Sequence, residues 1–177
     1  MNSFIFEAEV QMIQSLDLRQ RVRDILACVD PRHASEPASS TGKYHPDFAH
    51  GEGGLVRHTK AVVMIAYELC NTRPNLNRDN IVAAAILHDM HKYKDGSSHT
   101  CHEHPFLMAL EASKAGLPLE VVSLIECHMG QWTSNGRSSI ILPLPSSDAE
   151  WLLHYADYLA SRTWLKLSFD ANNNLEV

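Results

Sequence analysis

Four residues carry the first argument: His58, the adjacent pair His88 and Asp89, and Asp157. Each lies within or at the end of an otherwise apolar stretch, in "LVRHTKAVVMIAYELC", "IVAAAILHDMHKY" and "DAEWLLHYADYLASRTWLKL". An uncompensated charge in such surroundings is expensive, and neutral imidazoles alone do not offset a buried aspartate. Two histidines and two carboxylates converging on a divalent cation solve the problem together. That mixed donor set suits Mn²⁺, Fe²⁺, Co²⁺, Ni²⁺ or Zn²⁺ better than Mg²⁺. Eleven histidines among 177 residues, five of them between positions 88 and 104, point the same way.

The elements that must gather these residues read as helices. Apolar positions at helical spacing predict one or two helices over 4–29, ending before Asp30-Pro31. Residues 31–54 are rich in Pro, Ser, Gly and His, which is loop chemistry, and a loop this long with His45 and His50 inside it is expected to be functional. A helix over 55–70 follows, then a turn in which Asp79 or Asn80 can cap the next helix, 81–93. That helix is nearly all apolar at its start and so central. A second loop leads to a helix with Pro105 in its first turn and Gly116 after its end. Another helix is stopped by Gly130, and "QWTSNGRSSIILPLPSS" is a turn-rich connection in which "SSIIL" could be extended. A long helix capped by Ser147 or Asp148 runs to Leu167, leaving a polar tail, 168–177, expected to fray. The result is a single all-α domain of six or seven helices: an N-terminal helical segment 1–30, the loop 31–54, a core 55–167 and the tail.

Bulk properties exclude several classes. A hydrophobic share of 45% and a charged share of 20% are those of an ordinary globular protein. No apolar run approaches the ~18 residues that span a bilayer. "MNSFIFEAEVQMIQ" lacks a basic leader and carries Glu7 and Glu9, so a cytoplasmic location is expected, without membrane partners. The four cysteines form no C-x-x-C pair and read as reduced and structural, Cys101 and Cys127 being worth following because histidines flank them. A net charge of −6 without a Lys/Arg cluster argues against a long duplex partner, whereas a small anion remains compatible if a metal supplies positive charge locally. No phosphate-cradling glycine loop, nucleophile elbow or H-E-x-x-H motif occurs.

The order H…HD…D formed by His58, His88-Asp89 and Asp157 resembles the HD-domain superfamily of metal-dependent phosphohydrolases, as do "GEGGLVRHT", "AILHDMHKY" and "HYADYLAS" around them. The similarity runs from about Pro37 to Arg162. "PASSTGKYHPDFAHGEGGLVRHT" is similar to the segment before the first metal histidine of HD-type 3′-to-5′ exoribonucleases, and small phage and bacterial HD nucleotide hydrolases are the other near relatives. The resemblance implies an all-helical fold around one or two divalent metals and hydrolysis of a phosphate ester or anhydride in a nucleotide. In two-metal enzymes of this kind additional histidines serve, with the HD aspartate bridging, which implies His104 and His128 as further ligands and Asp89 as bridge; His102 competes with His104. Lys92 matches the lysine of HD-x-x-K, where an ammonium stabilises charge on a phosphoryl group, so Asp89 and Lys92 are the expected catalytic pair.

Other residues are candidates for contact with substrate. Ser39, Lys43 and His45 in the long loop, and Arg162, are expected to meet phosphate or sugar, and Arg57 is a further candidate. Trp132 in "GQW" either stacks on a base or packs at the rim. His91 stands where the family has a small residue and is either a hydrogen-bond partner or exposed. The expected reaction is hydrolysis of a nucleotide by a metal-activated water, of triphosphohydrolase or nucleotidase type. The alternative is a phosphodiesterase or 3′-to-5′ exonuclease on short oligonucleotides. A non-catalytic metal-nucleotide sensor is the reading from another class, and homo-oligomers are compatible with exposed helix faces.

Overall fold

A computed structural model describes residues 5–39, 42–93, 100–132 and 140–176, with backbone only at 100 and 101. Its centre is the apolar segment that the sequence singled out. Every residue from Asn80 to Leu87 is buried. We number the seven described α-helices α1 (Glu7–Gln11), α2 (Leu16–Cys28), α3 (Gly54–Asn71), α4 (Arg78–Leu87), α5 (Thr100–Lys114), α6 (Leu119–Cys127) and α7 (Asp148–Ala160). Helix α4 has no polar face because α1, α2, α3, α6 and α7 all pack around it. Helices α3 and α7 lie against one another, as do α5 and α6. Among the described residues there is one isolated β-bridge, and no helix is long and apolar enough to cross a membrane.

Several boundaries depart from expectation, each for a local reason. The cap of α4 is Asn77, whose extended backbone lets its side chain accept from the Asn80 amide at 3.3 Å; Asp79 instead accepts from the amides of Gln14 and Ser15 at 2.9 and 2.7 Å. Helix α4 ends at Leu87, so His88 and Asp89 stand on the turn that leaves it. Helix α5 begins at Thr100, which puts Pro105 inside the helix and not in its first turn, and sets His104 on helical backbone. Helix α7 stops at Ala160, short of Leu167. There Ser161 Oγ donates to the Asp157 carbonyl at 3.0 Å and Arg162 Nε to the Tyr158 carbonyl at 3.1 Å, so side chains replace the continuing helix. Its start is capped by Ser147 in a capping box with Glu150. Of "SSIIL", residues 138 and 139 lie outside the described residues, and 140–142 are irregular.

The tail does not fray. Phe169 and Leu175 form the antiparallel bridge, and Asp170 Oδ1 accepts from the amides of Asn172 and Asn174 at 2.9 and 2.7 Å. The turn is drawn down by two cations of α3 that the sequence reading did not use in this way. Lys60 is 2% exposed, and its ammonium donates to Asn174 Oδ1 at 2.8 Å, with Glu9 Oε1 at 3.6 Å. Arg57 donates to Asn173 Oδ1. A buried ammonium needs oxygen partners, and the tail supplies one.

Two stability predictions follow from this packing. Replacing Asn174 by Ala removes the nearest acceptor of Lys60 and is expected to lower unfolding free energy by about 1–3 kcal/mol, read from urea unfolding; adding Lys60→Met should recover part of the loss. His33 is buried against Phe6, neither ring nitrogen has a hydrogen-bond partner among the described residues, and burial pushes its pKa down to about 4. The unfolded chain takes up that proton near ~6.5. The contribution is therefore whole above that pH and is lost as pH falls toward 4, by up to about 3 kcal/mol. In His33→Phe the stability difference between pH 7 and pH 4.5 should be smaller than in the unaltered chain; an equal difference would remove His33 from the account.

Candidate metal centre

The site is built at helix ends. His88 and His128 are each the first residue past a helix, α4 and α6. Each ring turns back on its own helix: Nδ1–H of His88 donates to the Ala85 carbonyl at 2.7 Å, and Nδ1–H of His128 to the Ile125 carbonyl at 2.7 Å. The same device thus satisfies a last-turn carbonyl twice and fixes the tautomer twice. It leaves both Nε2 lone pairs facing inward. His88 Nε2 has no hydrogen-bond partner among the described residues although the residue is wholly buried.

Asp89 occupies the middle. Its side chain is 2% exposed, and its two oxygens face different partners. Oδ1 lies 2.8 Å from His104 Nε2 and 3.8 Å from His128 Nε2. Oδ2 lies 2.8 Å from Lys92 Nζ, 3.6 Å from His88 Nε2 and 3.8 Å from His58 Nε2. His104 and His128 bring their Nε2 atoms within 3.2 Å. On the other side His58 Nε2 stands 3.0 Å from Asp157 Oδ1, aligned so that no directed hydrogen bond forms. All six residues that the HD resemblance implied as ligands meet here.

The electrostatics favour cation binding. Burial raises the Asp89 carboxyl, but Lys92, His88 and His104 more than offset it and hold it well below the usual range. Burial likewise raises Asp157, and His58 and His88 bring it down. Burial pushes His88 down and His128 down to about 3, so both are neutral donors at ordinary pH. Lys92 is raised: burial lowers it, and Asp89 outweighs burial. Two ionised carboxylates, neutral imidazoles of fixed tautomer and an orphaned buried nitrogen are the donor set of a divalent transition metal. Ligand atoms of His58, His88 and Asp157 lie within 4.8 Å of one another, as do those of His88, Asp89 and His128.

A cavity of about 470 Å³ opens over the cluster, lined among others by His45, Asp89, Lys92, His104, His128, Asp157 and Arg162. His45 reaches it because the long loop is clasped. The Ala38 amide donates to Ala49, and the Leu55 amide to Glu36. Nε2 of His50 lies 3.0 and 3.1 Å from the carbonyls of Gly42 and His45. Arg57 donates to the carbonyls of Phe48, His50 and Glu52, which makes it a clamp of the loop and not a cavity residue. The chain then enters α3 through Gly53 at φ 72° and Gly54, where a Cβ would strike the Ala49 carbonyl. Burial, then His58, lowers His45 to about 3, so it faces the cavity as a neutral ring.

The structure does not bring every candidate here. Ser39 is half-buried and Lys43 is exposed, with its ammonium 5.2 Å from the Tyr44 ring centre; neither lines the cavity. His91 Nε2 lies 2.6 Å from Glu111 Oε2, tying the turn after α4 to α5. Between His102 and His104, it is His104 that meets Asp89. Cys127 is buried and burial pushes its thiol up to about 12, and the Cys101 side chain lies outside the described residues. Sequence reasoning passed over His154. It is buried on α7, one turn before Asp157, and its Nδ1–H donates to the His128 carbonyl at 2.9 Å. A histidine on the apolar face that also carries Asp157 was the available signal.

With this geometry in hand, comparison with known proteins is specific. The HD domain family profile matches residues 55–162, more than half of the chain. The dihydroneopterin 2′,3′-cyclic phosphate phosphodiesterase of Methanocaldococcus jannaschii is 27% identical over 175 residues, covering 86% of this chain and 66% of that protein. The 3′-5′ exoribonuclease YhaM of Bacillus subtilis is 28% identical over 173 residues, covering 90% of this chain and 51% of its own length. YhaM of Geobacillus sp. (strain WCH70) is 28% identical over 165 residues, 85% of this chain and 48% of that one. The chain thus spans about half to two thirds of the length of these curated relatives. No solved structure gives a significant match. With the profile laid over His58, His88, Asp89, His104, His128 and Asp157, the chain belongs to the HD domain family of metal-dependent phosphohydrolases.

Proposed function

We propose that this chain is a metal-dependent phosphodiesterase acting on a small nucleotide-like diester: a cyclic phosphodiester or the end of a short oligonucleotide. The position of Asp89 carries the reading. Its carboxylate stands between two groups of imidazoles beneath a cavity of about 470 Å³, a size that suits a small ligand. Two of the relatives, a cyclic phosphate phosphodiesterase and an exoribonuclease, both break phosphodiesters. They support the phosphodiesterase alternative over the triphosphohydrolase or nucleotidase reaction expected from the sequence.

A divalent ion held by His58, His88, Asp89 and Asp157, with His104 and His128 available to a second, would polarise the phosphoryl group and lower the pKa of a water. The chain's own residues divide the remaining tasks. Lys92 holds Asp89 ionised at 2.8 Å and lines the cavity, where its ammonium can meet a non-bridging phosphate oxygen. Arg162 places a second cation in the lining of the same cavity. The two cations let a chain of net charge −6 accept an anion locally.

Titration of the metal-free protein with Mn²⁺ should show binding that His88→Ala weakens by at least about ten-fold, since an orphaned donor is removed without replacement. Metal-loaded protein should hydrolyse 2′,3′-cyclic nucleotides or short oligoribonucleotides. Asp89→Ala should abolish the reaction, and Lys92→Ala should lower kcat by about 10²–10³. Turnover of triphosphates with diesters untouched would replace this reading. Metal and nucleotide binding without any turnover would make the site a sensor.

A further inference from the structure

One wall of the cavity has no part in holding metal. Trp132 lies in the short 3₁₀ turn Gly130–Trp132 that follows His128, and Tyr158 and Arg162 follow Asp157 on and just beyond α7. The indole and the phenol ring are stacked, with centres 5.7 Å apart and planes inclined by 17°. The Arg162 guanidinium carbon sits 4.1 Å from the centre of the Tyr158 ring. All three residues line the cavity that also holds Asp89, Lys92, His104 and His128.

This wall is built and still open. The Trp132 amide donates to the Met129 carbonyl at 3.2 Å, and His154 fixes the start of the turn through the His128 carbonyl. Yet Trp132 remains 44% exposed, an unusual state for a residue whose only task is packing. Arg162 bonds through Nε to the Tyr158 carbonyl, and among the described residues its terminal nitrogens make no hydrogen bond. A flat aromatic surface backed by a guanidinium attracts a second flat, electron-rich ring, and it does so with tolerance because every heteroaromatic ring has a face.

We propose that Trp132, Tyr158 and Arg162 form a stacking subsite for the heteroaromatic ring of the substrate, so that the enzyme selects ring-bearing phosphate esters over ringless ones. The inference rests on the phosphodiesterase reading for where the phosphate lies. One turn of chain separates each metal-site residue from the wall, His128 from Trp132 and Asp157 from Arg162, so a single nucleotide unit can reach both. Stacking without base-edge readout implies that purines, pyrimidines and larger fused rings are accepted alike.

The test compares two probes that share phosphate and sugar. Binding of 5′-AMP and of ribose 5-phosphate to the Mn²⁺-loaded protein is measured by calorimetry, in unaltered protein, Trp132→Phe and Trp132→Ala. The expected result is a preference for AMP of at least about five-fold, kept by Trp132→Phe and nearly lost in Trp132→Ala. Equal binding of the two probes by the unaltered protein, or a preference unchanged in Trp132→Ala, would overturn the subsite. Because the readout is binding, a protein that hydrolyses no diester but shows the AMP preference would overturn the hydrolytic reading and leave the subsite standing.

Discussion

A carboxylate almost wholly removed from water is the constraint around which this molecule is organised. Asp89 is 2% exposed, and desolvation alone would force it to take up a proton. It stays ionised because Lys92, His88 and His104 offset that burial. Lys92 and His88 share its own turn, whereas His104, His58 and His128 reach it from α5, α3 and the end of α6. Among the described residues Lys92 contributes the one permanent positive charge in contact with it, three residues along the same turn. Two of the remaining partners, His88 and His128, are neutral rings whose Nε2 lone pairs a cation would use. The helical packing that brings α3, α4, α5, α6 and α7 to this point is therefore also the means by which the carboxylate is kept charged.

The rings are oriented before any ligand arrives. His88 and His128 are each tied by Nδ1 to their own helix, and the carbonyl of His128 is tied in turn by His154. His58 has no such tether among the described residues; its position comes from α3, whose entry is fixed by Gly53, Gly54 and the clasped loop. Distance from the reacting centre is thus a poor guide to importance: Arg57 and His50 touch no ligand residue's donor atom, yet they hold the loop that delivers His45.

How much of this could be read in the residues depends on the range of the interaction. The helices, the central place of 81–87 and the presence of His58, His88-Asp89 and Asp157 in apolar surroundings are local patterns of period and polarity, and they were legible. His104 and His128 required the family pattern, because a histidine in a loop or at a helix end carries no burial signal of its own. The rest depends on contacts distant in sequence. Lys60 sits inside an apolar run, and nothing local marks its acceptor, Asn174, 114 positions later. Arg57 looked like a phosphate contact for the same reason: its partners are backbone carbonyls and Asn173, which no periodicity reveals. Helix ends slipped where side chains compete with the backbone, at Asn77 and at Ser161.

The packing of Gly130 against His154 reaches beyond this one chain. Gly130 has φ 57°, and a Cβ there would run into the His154 ring, so neither position has freedom of its own. Across relatives the two sites should change as a pair. A side chain at the first requires a smaller neighbour at the second, together with a new support for the carbonyl of His128. Lineages that keep the imidazole should keep the glycine, and those that lose one should have been released from the other, whatever the substrates they have come to use.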